Sequence, residues 1–366
     1  MEYFTPDVHF FGMAPSDERE MVKMIEKAGR TCYKSEDKIT DESAWSFIEK
    51  ILKNGHFSVL EHSNICIEMS FNGTGSRERI EEILTNILEE TGKSDFFKKY
   101  RRSKADDGKN NIIISANLRA WVELISYLDY TETVIYDALS SNLKEFIFNK
   151  YYPNILEMCY DHGIFIESIL DEKFGILGTE LLEIPTQLAE LKMNNFDLPI
   201  FVFKVITDRG VSHEIVRSRT LQYSQESTRY VNYWKKVGIM FYDLSDRIYL
   251  DDNIDEDTEV DIEDALSKFF SDCENMYNWL VGENKHSSKY LPPQIARNVL
   301  PHSLRTEIVI SGRWGKDYSN NSKIDLSNAW CHFIRIRSGS GAHPYIKIIS
   351  DQIHEGFLNF ELNAFE

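Results

Sequence analysis

Arg217, Arg219 and Arg229 stand close together within residues 208–230, and Gln225, Glu226 and Ser227 lie between the second and third of them. Guanidinium groups are planar, forked donors that match the oxygens of phosphate and carboxylate. The Ser227 hydroxyl and the Gln225 amide add neutral donors. The chain as a whole is acidic, with 41 Lys+Arg against 59 Asp+Glu and a net charge of -18. A local cationic cluster is therefore not an effect of bulk composition. A surface helix with ordinary ion pairs is the plain alternative. The interleaved polar residues and the β-rich run before the cluster point instead to an anion site. Ser227 has no base beside it, so its hydroxyl is expected to donate to a phosphate and not to act as a nucleophile.

A second group is the run from Gly55 to His62, where His56 and His62 flank Glu61. Their spacing is not that of a helical H-E-x-x-H site, and no metal is expected. The five cysteines, Cys32, Cys66, Cys159, Cys273 and Cys331, form no C-x-x-C pair. Such a scattered, odd set fits free thiols in a reducing cytoplasm. The first residues lack the pattern of a signal peptide, and no apolar run is long enough to span a bilayer. So acidic a chain is not expected to bind nucleic acid, which needs spread-out basic residues.

Elements that could position these groups are legible. Apolar spacing predicts helices after Ser16, as its cap, to Gly29 and over residues 41–53. A turn at His56 leads into an alternating, half-buried strand over residues 65–71. Residues 200–206 form a near-continuous β-rich run, hence an interior strand. A short helix opening at Ser212 should carry Arg217 and Arg219. Further strands are expected at residues 240–242 and 306–311, and helices at residues 262–280 and 326–337. Residues 73–197 read mostly as helices, at 77–90, 118–128, 133–146 and 152–160, with a polar loop at 98–107. Residues 243–264 read as a solvated acidic loop.

On these residues the chain resembles the flavin-dependent thymidylate synthases, or thymidylate synthase complementing proteins. That family carries Arg-His-Arg, seven residues, Ser, and then Arg-Tyr. Here Arg217-Ser218-Arg219 is followed at the same spacing by Ser227 and by Arg229-Tyr230, with Ser218 in place of the His. The run at His56, Ser58, Glu61 and His62 is similar to the family's Gly-His-x-Ser/Thr-x-x-Glu-His turn. Residues 28–33 resemble its Ala-Ala-Arg-x-Ser segment, with Cys32 replacing Ser. Residues 293–301 resemble its Ala-Arg-x-x-Leu-Pro segment, and the helix ending in Arg337 resembles its Leu-Arg helix. The family's late Asn-x-Arg is not cleanly present; Asn328 is an imperfect substitute, Asn117-Leu118-Arg119 is a short match for which chance is the better bet, and which of the two supplies the late flavin contact stays open.

The resemblance implies an α+β fold with a mostly antiparallel central sheet flanked by helices. The core would be residues 1–72 and 198–366, interrupted by a large, mainly helical insertion at 73–197. It implies methylation of dUMP at C5 to dTMP, with methylenetetrahydrofolate as carbon donor, reduced FAD as hydride source, NADPH as reductant and no cysteine nucleophile. Arg337 would activate the pyrimidine. Glu214, Arg217, Gln225, Glu226, Ser227, Arg229 and Arg297 would contact the nucleotide. His56, Ser58, Glu61, Arg217, Ser218, Arg219, Gln225, Asn328 and His332 would contact the flavin. Members are homotetramers whose sites are shared between subunits. A non-catalytic flavin- or nucleotide-binding relative, and an enzyme acting on another uridylate, stay open.

Overall fold

The computed structural model describes residues 2–15, 17–71, 98–102, 110–130, 143–162, 188–193, 199–236, 238–242, 256–282, 290–314 and 329–359. The chain opens with β1 (Glu2–Phe4), β2 (Asp7–Met13) and α1 (Glu18–Tyr33). Asp17, not Ser16, caps α1: its carboxylate accepts from the Glu20 N–H at 3.1 Å. Ser16 itself lies outside the described residues. A carboxylate there also suits the positive end of the helix dipole. Then come α2 (Ser43–Lys53), a 3-10 turn at Phe57–Glu61, and β3 (Ile65–Phe71).

Next are β4 (Lys98–Arg102), β5 (Asn110–Ala116), α3 (Leu118–Tyr130), a π-helical turn at Lys144–Asn149, α4 (Pro153–Asp161) and β6 (Leu188–Met193). The remaining chain supplies β7 (Ile200–Asp208), α5 (Arg209–Ile215), β8 (Gln222–Gln225), α6 (Tyr233–Lys236), β9 (Met240–Tyr242) and α7 (Glu256–Val281). It closes with α8 (Pro293–Ala296), β10 (Arg305–Arg313), α9 (Ala329–Arg337) and α10 (Pro344–Asn359).

Two antiparallel four-stranded sheets carry the fold, in the orders β2-β7-β10-β8 and β4-β5-β3-β6. β1 pairs with β9 in a separate parallel ribbon. The architecture is the expected α+β. β7 is apolar on both faces because both are covered. Phe201, Phe203 and Val205 face Trp330, Phe333, Ile349 and Phe357 of α9 and α10. Ile200 and Val202 face Met24 and Ala28 of α1. A second core joins α1, α2, β3, β5 and α3 around Trp121.

Several local expectations change. Lys98–Arg102, expected in a polar loop, is a strand because its backbone pairs with Asn111–Ser115 of β5 irrespective of side-chain polarity. β3 is not half-buried: it is paired on both edges, and Cys66 and Glu68 are buried along with Ile65 and Ile67. α7 begins at Glu256, inside the expected acidic loop. The helix expected at 77–90, most of that at 133–146, and residues 243–255 lie outside the described residues. Among those described, no helix is long and apolar enough to cross a membrane.

Candidate functional site

The Ser227 loop leaves β8 and is tied down on both sides. The Glu226 N–H donates to the Glu307 carbonyl at 2.8 Å, and the Ser227 N–H donates to the Cys32 carbonyl, at the end of α1, at 3.0 Å. α1 stops there because Lys34 turns into the left-handed region, with φ 47. The turn bearing His56 reaches the same place from α2, through Gly55 at φ +70, a conformation that favours glycine. The Tyr33 hydroxyl meets His56 Nδ1 in a short hydrogen bond. Their rings stack at 5.9 Å, and the Tyr230 ring lies 6.0 Å from Tyr33 and 5.6 Å from His56.

These groups bound a chamber of about 310 Å³ lined by Cys32, His56, Ser58, Arg119, Ser227 and Tyr230, among others. Arg119 comes from the start of α3. Asn117 caps that helix, its side-chain Oδ1 accepting from the Ala120 N–H at 2.9 Å. Arg119 Nη1 donates to Glu61 at 2.7 Å and its Nε to Glu123 at 2.8 Å, which fixes the guanidinium. Glu61 thus holds Arg119 in place. The match at Asn117 and Arg119, weighed in the sequence as chance, puts a cation on the chamber wall. The Asn-x-Arg pattern alone does not show which wall Arg119 joins, because its contact with Glu61 links residues distant in sequence.

The other expected site residues spread around this chamber. Arg229 is exposed with its guanidinium 5.4 Å from the Tyr230 ring centre, and Arg297 Nη1 donates to the Thr228 hydroxyl at 3.0 Å. Arg217 and Arg219 are exposed and lie beyond the end of α5, not on it. The helix starts earlier than expected because Asp208 caps it, accepting from Val211 N–H at 2.8 Å. Arg337 is held against that helix end: Nη2 donates to the Glu214 carbonyl at 2.8 Å and Nη1 to its carboxylate at 3.3 Å. Tyr223 closes the corner, donating to the Ile215 and Ser218 carbonyls at 2.8 and 2.7 Å. Within one protomer, Arg337 and Glu214 do not line the Ser227 chamber. His332 is half-buried on α9, and Asn328 lies outside the described residues.

Gln225 and Glu226 face inward. Gln225 Nε2 donates to the hydroxyls of Ser212 at 2.8 Å and Thr306 at 3.2 Å. Glu226 is buried and accepts from the Glu307 N–H at 3.2 Å. Burial raises its pKa, against the pull of Lys34. Burial would raise Glu307 too, but there Lys34 at 2.5 Å, Lys204 at 2.7 Å and Arg305 at 2.6 Å win and hold it down at about 2. This charged base supports the Ser227 loop from below. Burial pushes the Cys32 thiol up to about 12, so it is neutral at pH 7.

The two sheets are joined by buried polar contacts. His62 Nδ1 lies 3.0 Å from the Ser311 hydroxyl, and Arg313 Nη2 donates to the Ser115 carbonyl at 2.9 Å. Burial lowers the pKa of His62 to about 3, so it is neutral. Among the described residues no group of three or more His, Cys, Asp or Glu side chains is placed to hold a metal ion.

Comparison with known proteins gives this geometry a context. Among curated proteins none matches the chain. Of solved structures, the chain is similar to the UMP/dUMP methylase PolB from Streptomyces cacaoi bound with 5-Br dUMP. That likeness is 18% in identity, covers 45% of this chain and 68% of that chain, and has a TM-score of 0.34. The family profile described as "Thymidylate synthase complementing protein" matches residues 17–81 and 186–359. These two stretches contain α1, the His56 turn, the Ser227 loop, Arg297 and Arg337, and they make up well over half of the chain: it belongs to the thymidylate synthase complementing protein family.

Proposed function

We propose that the protein methylates dUMP at C5 to give dTMP, using methylenetetrahydrofolate as carbon donor, reduced FAD as hydride source and NADPH as reductant, in a cytoplasmic homotetramer. The observation that supports this is the meeting of the His56–Ser58 turn and the Ser227–Tyr230 loop at one chamber in a member of this family. The lining fits part of a flavin: the rings of Tyr33, His56 and Tyr230 offer stacking faces, Ser58 a hydroxyl and Arg119 a fixed cation. Arg217 and Arg219, which make no ion pair among the described residues, are available to its diphosphate. When bound, reduced FAD supplies the hydride that completes the methyl group.

The chain's own residues have the following parts. Ser227 Oγ accepts from the Arg229 N–H at 3.3 Å, which leaves its hydroxyl proton to donate to a phosphate oxygen. Arg229 and Arg297 add charge on the same side of the loop. Arg337, braced by Glu214, stabilises negative charge on the pyrimidine ring as C5 becomes nucleophilic and later gives up its proton. Arg337 does not line the Ser227 chamber, and in the proposed homotetramer a neighbouring copy supplies the arginine that completes it. Half-buried Cys32, its thiol kept neutral, takes no nucleophilic part.

Product analysis with dUMP, methylenetetrahydrofolate, FAD and NADPH tests the reading, alongside the absorbance of any flavin released on denaturation. Formation of dTMP and a flavin spectrum are expected. A colourless protein that takes up no added FAD refutes it. Ser218 in place of the family's His supports a second reading, action on another uridylate or binding without turnover. NADPH consumption with bound dUMP and no dTMP selects that reading.

A further inference from the structure

Two carboxylates, Glu226 and Glu307, are buried under the Ser227 loop. Negative charge beneath a loop that receives a phosphate repels the ligand, and a dry interior strengthens the repulsion. Glu226 is the immediate neighbour of Ser227 and is fixed in place. Its carboxylate accepts from the Glu307 N–H at 3.2 Å, and its carbonyl accepts from Arg209 Nη2 at 2.7 Å. Lys204 and Arg305 pair with Glu307, at 2.7 and 2.6 Å. Lys34 reaches both acids, lying 2.5 Å from Glu307 and 4.0 Å from Glu226. Among the described residues it is the one cation in an ion pair with Glu226.

Lys34 occupies an uncommon backbone position. It ends α1 at φ 47, in the left-handed region that favours glycine or asparagine past a helix end. Among the described residues no other side chain-bearing residue has a positive φ. Glycine would make the same turn with less strain, but it would bring no ammonium group to the two acids. The turn also touches the loop directly. The Cys32 carbonyl, two residues before Lys34, accepts from the Ser227 N–H at 3.0 Å. Lys34 itself does not line the Ser227 chamber. We propose that Lys34 is a positioning residue for the Ser227 loop: it cancels the charge of Glu226 directly beneath Ser227, and so makes the loop able to accept an anion. The inference rests on the reading of that loop as the phosphate-binding loop of the nucleotide site.

Binding of dUMP and, separately, of pyrophosphate to the full-length protein is measured by calorimetry. Lys34→Met keeps the length of the side chain and is expected to raise both Kd values at least tenfold. Lys34→Arg keeps the charge and should stay within threefold of the parent. Adding Glu226→Gln to Lys34→Met removes the exposed negative charge and should bring both Kd values back to within threefold. A mechanical tether is not restored by a second loss, so failure of this rescue overturns the proposal, as does an unchanged Kd in Lys34→Met. If circular dichroism shows that Lys34→Met does not fold, Glu226→Gln alone decides. With Lys34 in place it should bind pyrophosphate at least threefold more tightly, and unchanged affinity overturns the proposal. A parent that binds pyrophosphate but not dUMP refutes the nucleotide reading, and the variants then decide this inference on pyrophosphate. A parent that binds neither refutes both.

Discussion

Glu307→Gln tests the base under the Ser227 loop. The substitution keeps the side chain's shape and removes its charge. In the folded protein Lys34, Lys204 and Arg305 all lie within 2.7 Å of this carboxylate, which is 4% exposed. They hold its pKa at about 2, against an ordinary 4.5. A fall of that size corresponds to about 3 kcal/mol, at 1.36 kcal/mol per pH unit. Because the folded value is the lower one, this stability is complete well above pH 4.5 and drains away as pH falls towards 2. Neighbouring Glu226 has the opposite sign. Its pKa is raised by burial, so ionising it costs stability as pH rises. Removing the charge of Glu307 frees Lys34, 4.0 Å away, to turn to Glu226, which offsets part of the loss. Urea unfolding followed by tryptophan fluorescence should place the variant about 3 kcal/mol below the parent at pH 7. The gap should shrink to about 1 kcal/mol at pH 3. A gap of equal size at both pH values would refute the reasoning.

Three further outcomes follow from the same contacts. Cys32→Ala should leave dTMP formation within a few-fold of the parent, since burial keeps that thiol neutral; complete loss in a folded variant would restore a thiolate mechanism. Arg337→Lys keeps a cation but loses the fork that grips Glu214, so kcat should fall about 100-fold with flavin affinity nearly unchanged, and undiminished turnover would remove Arg337 from its role. Gly29→Ala would place a Cβ 2.7 Å from the Phe47 ring and 3.3 Å from Ile51, which should cost about 1–3 kcal/mol in thermal or urea unfolding; a raised Tm would show that α1 and α2 have room to part.

Some of the architecture was readable because it follows local rules. The apolar run of β7 and the apolar face of α1 each announce one element, and the structure has them within a few residues. The polar strand β4 was not readable, because Lys98, Lys99, Arg101 and Arg102 say nothing of the β5 backbone they pair with. Site residues divide in the same way. His56, Ser58 and Ser227 were found by spacing and do line one chamber. Gln225 and Glu226 sit in the same stretch, yet Gln225 turns to the Ser212 and Thr306 hydroxyls and Glu226 to the Glu307 backbone. Spacing identifies a loop but not which of its side chains point outward. Tyr33 was missed and Arg119 was left undecided for the converse reason: each owes its place to a partner far away in sequence, His56 for one and Glu61 for the other.

The contact between Arg313 and the Ser115 carbonyl has a consequence for trimming the chain. Residues 82–185 separate the two family-matched stretches and invite excision. Cutting them out would remove β5, strip one whole edge of β3, and leave Arg313 as a stranded guanidinium in a dry interior. A bare strand edge recruits other chains, and an orphaned buried cation destabilises by several kcal/mol, on the order of 3–5. A minimal version of this protein would therefore precipitate before it could be assayed. The two matched stretches thus depend on the segment between them, which supplies a ladder for β3 and a partner for a buried charge.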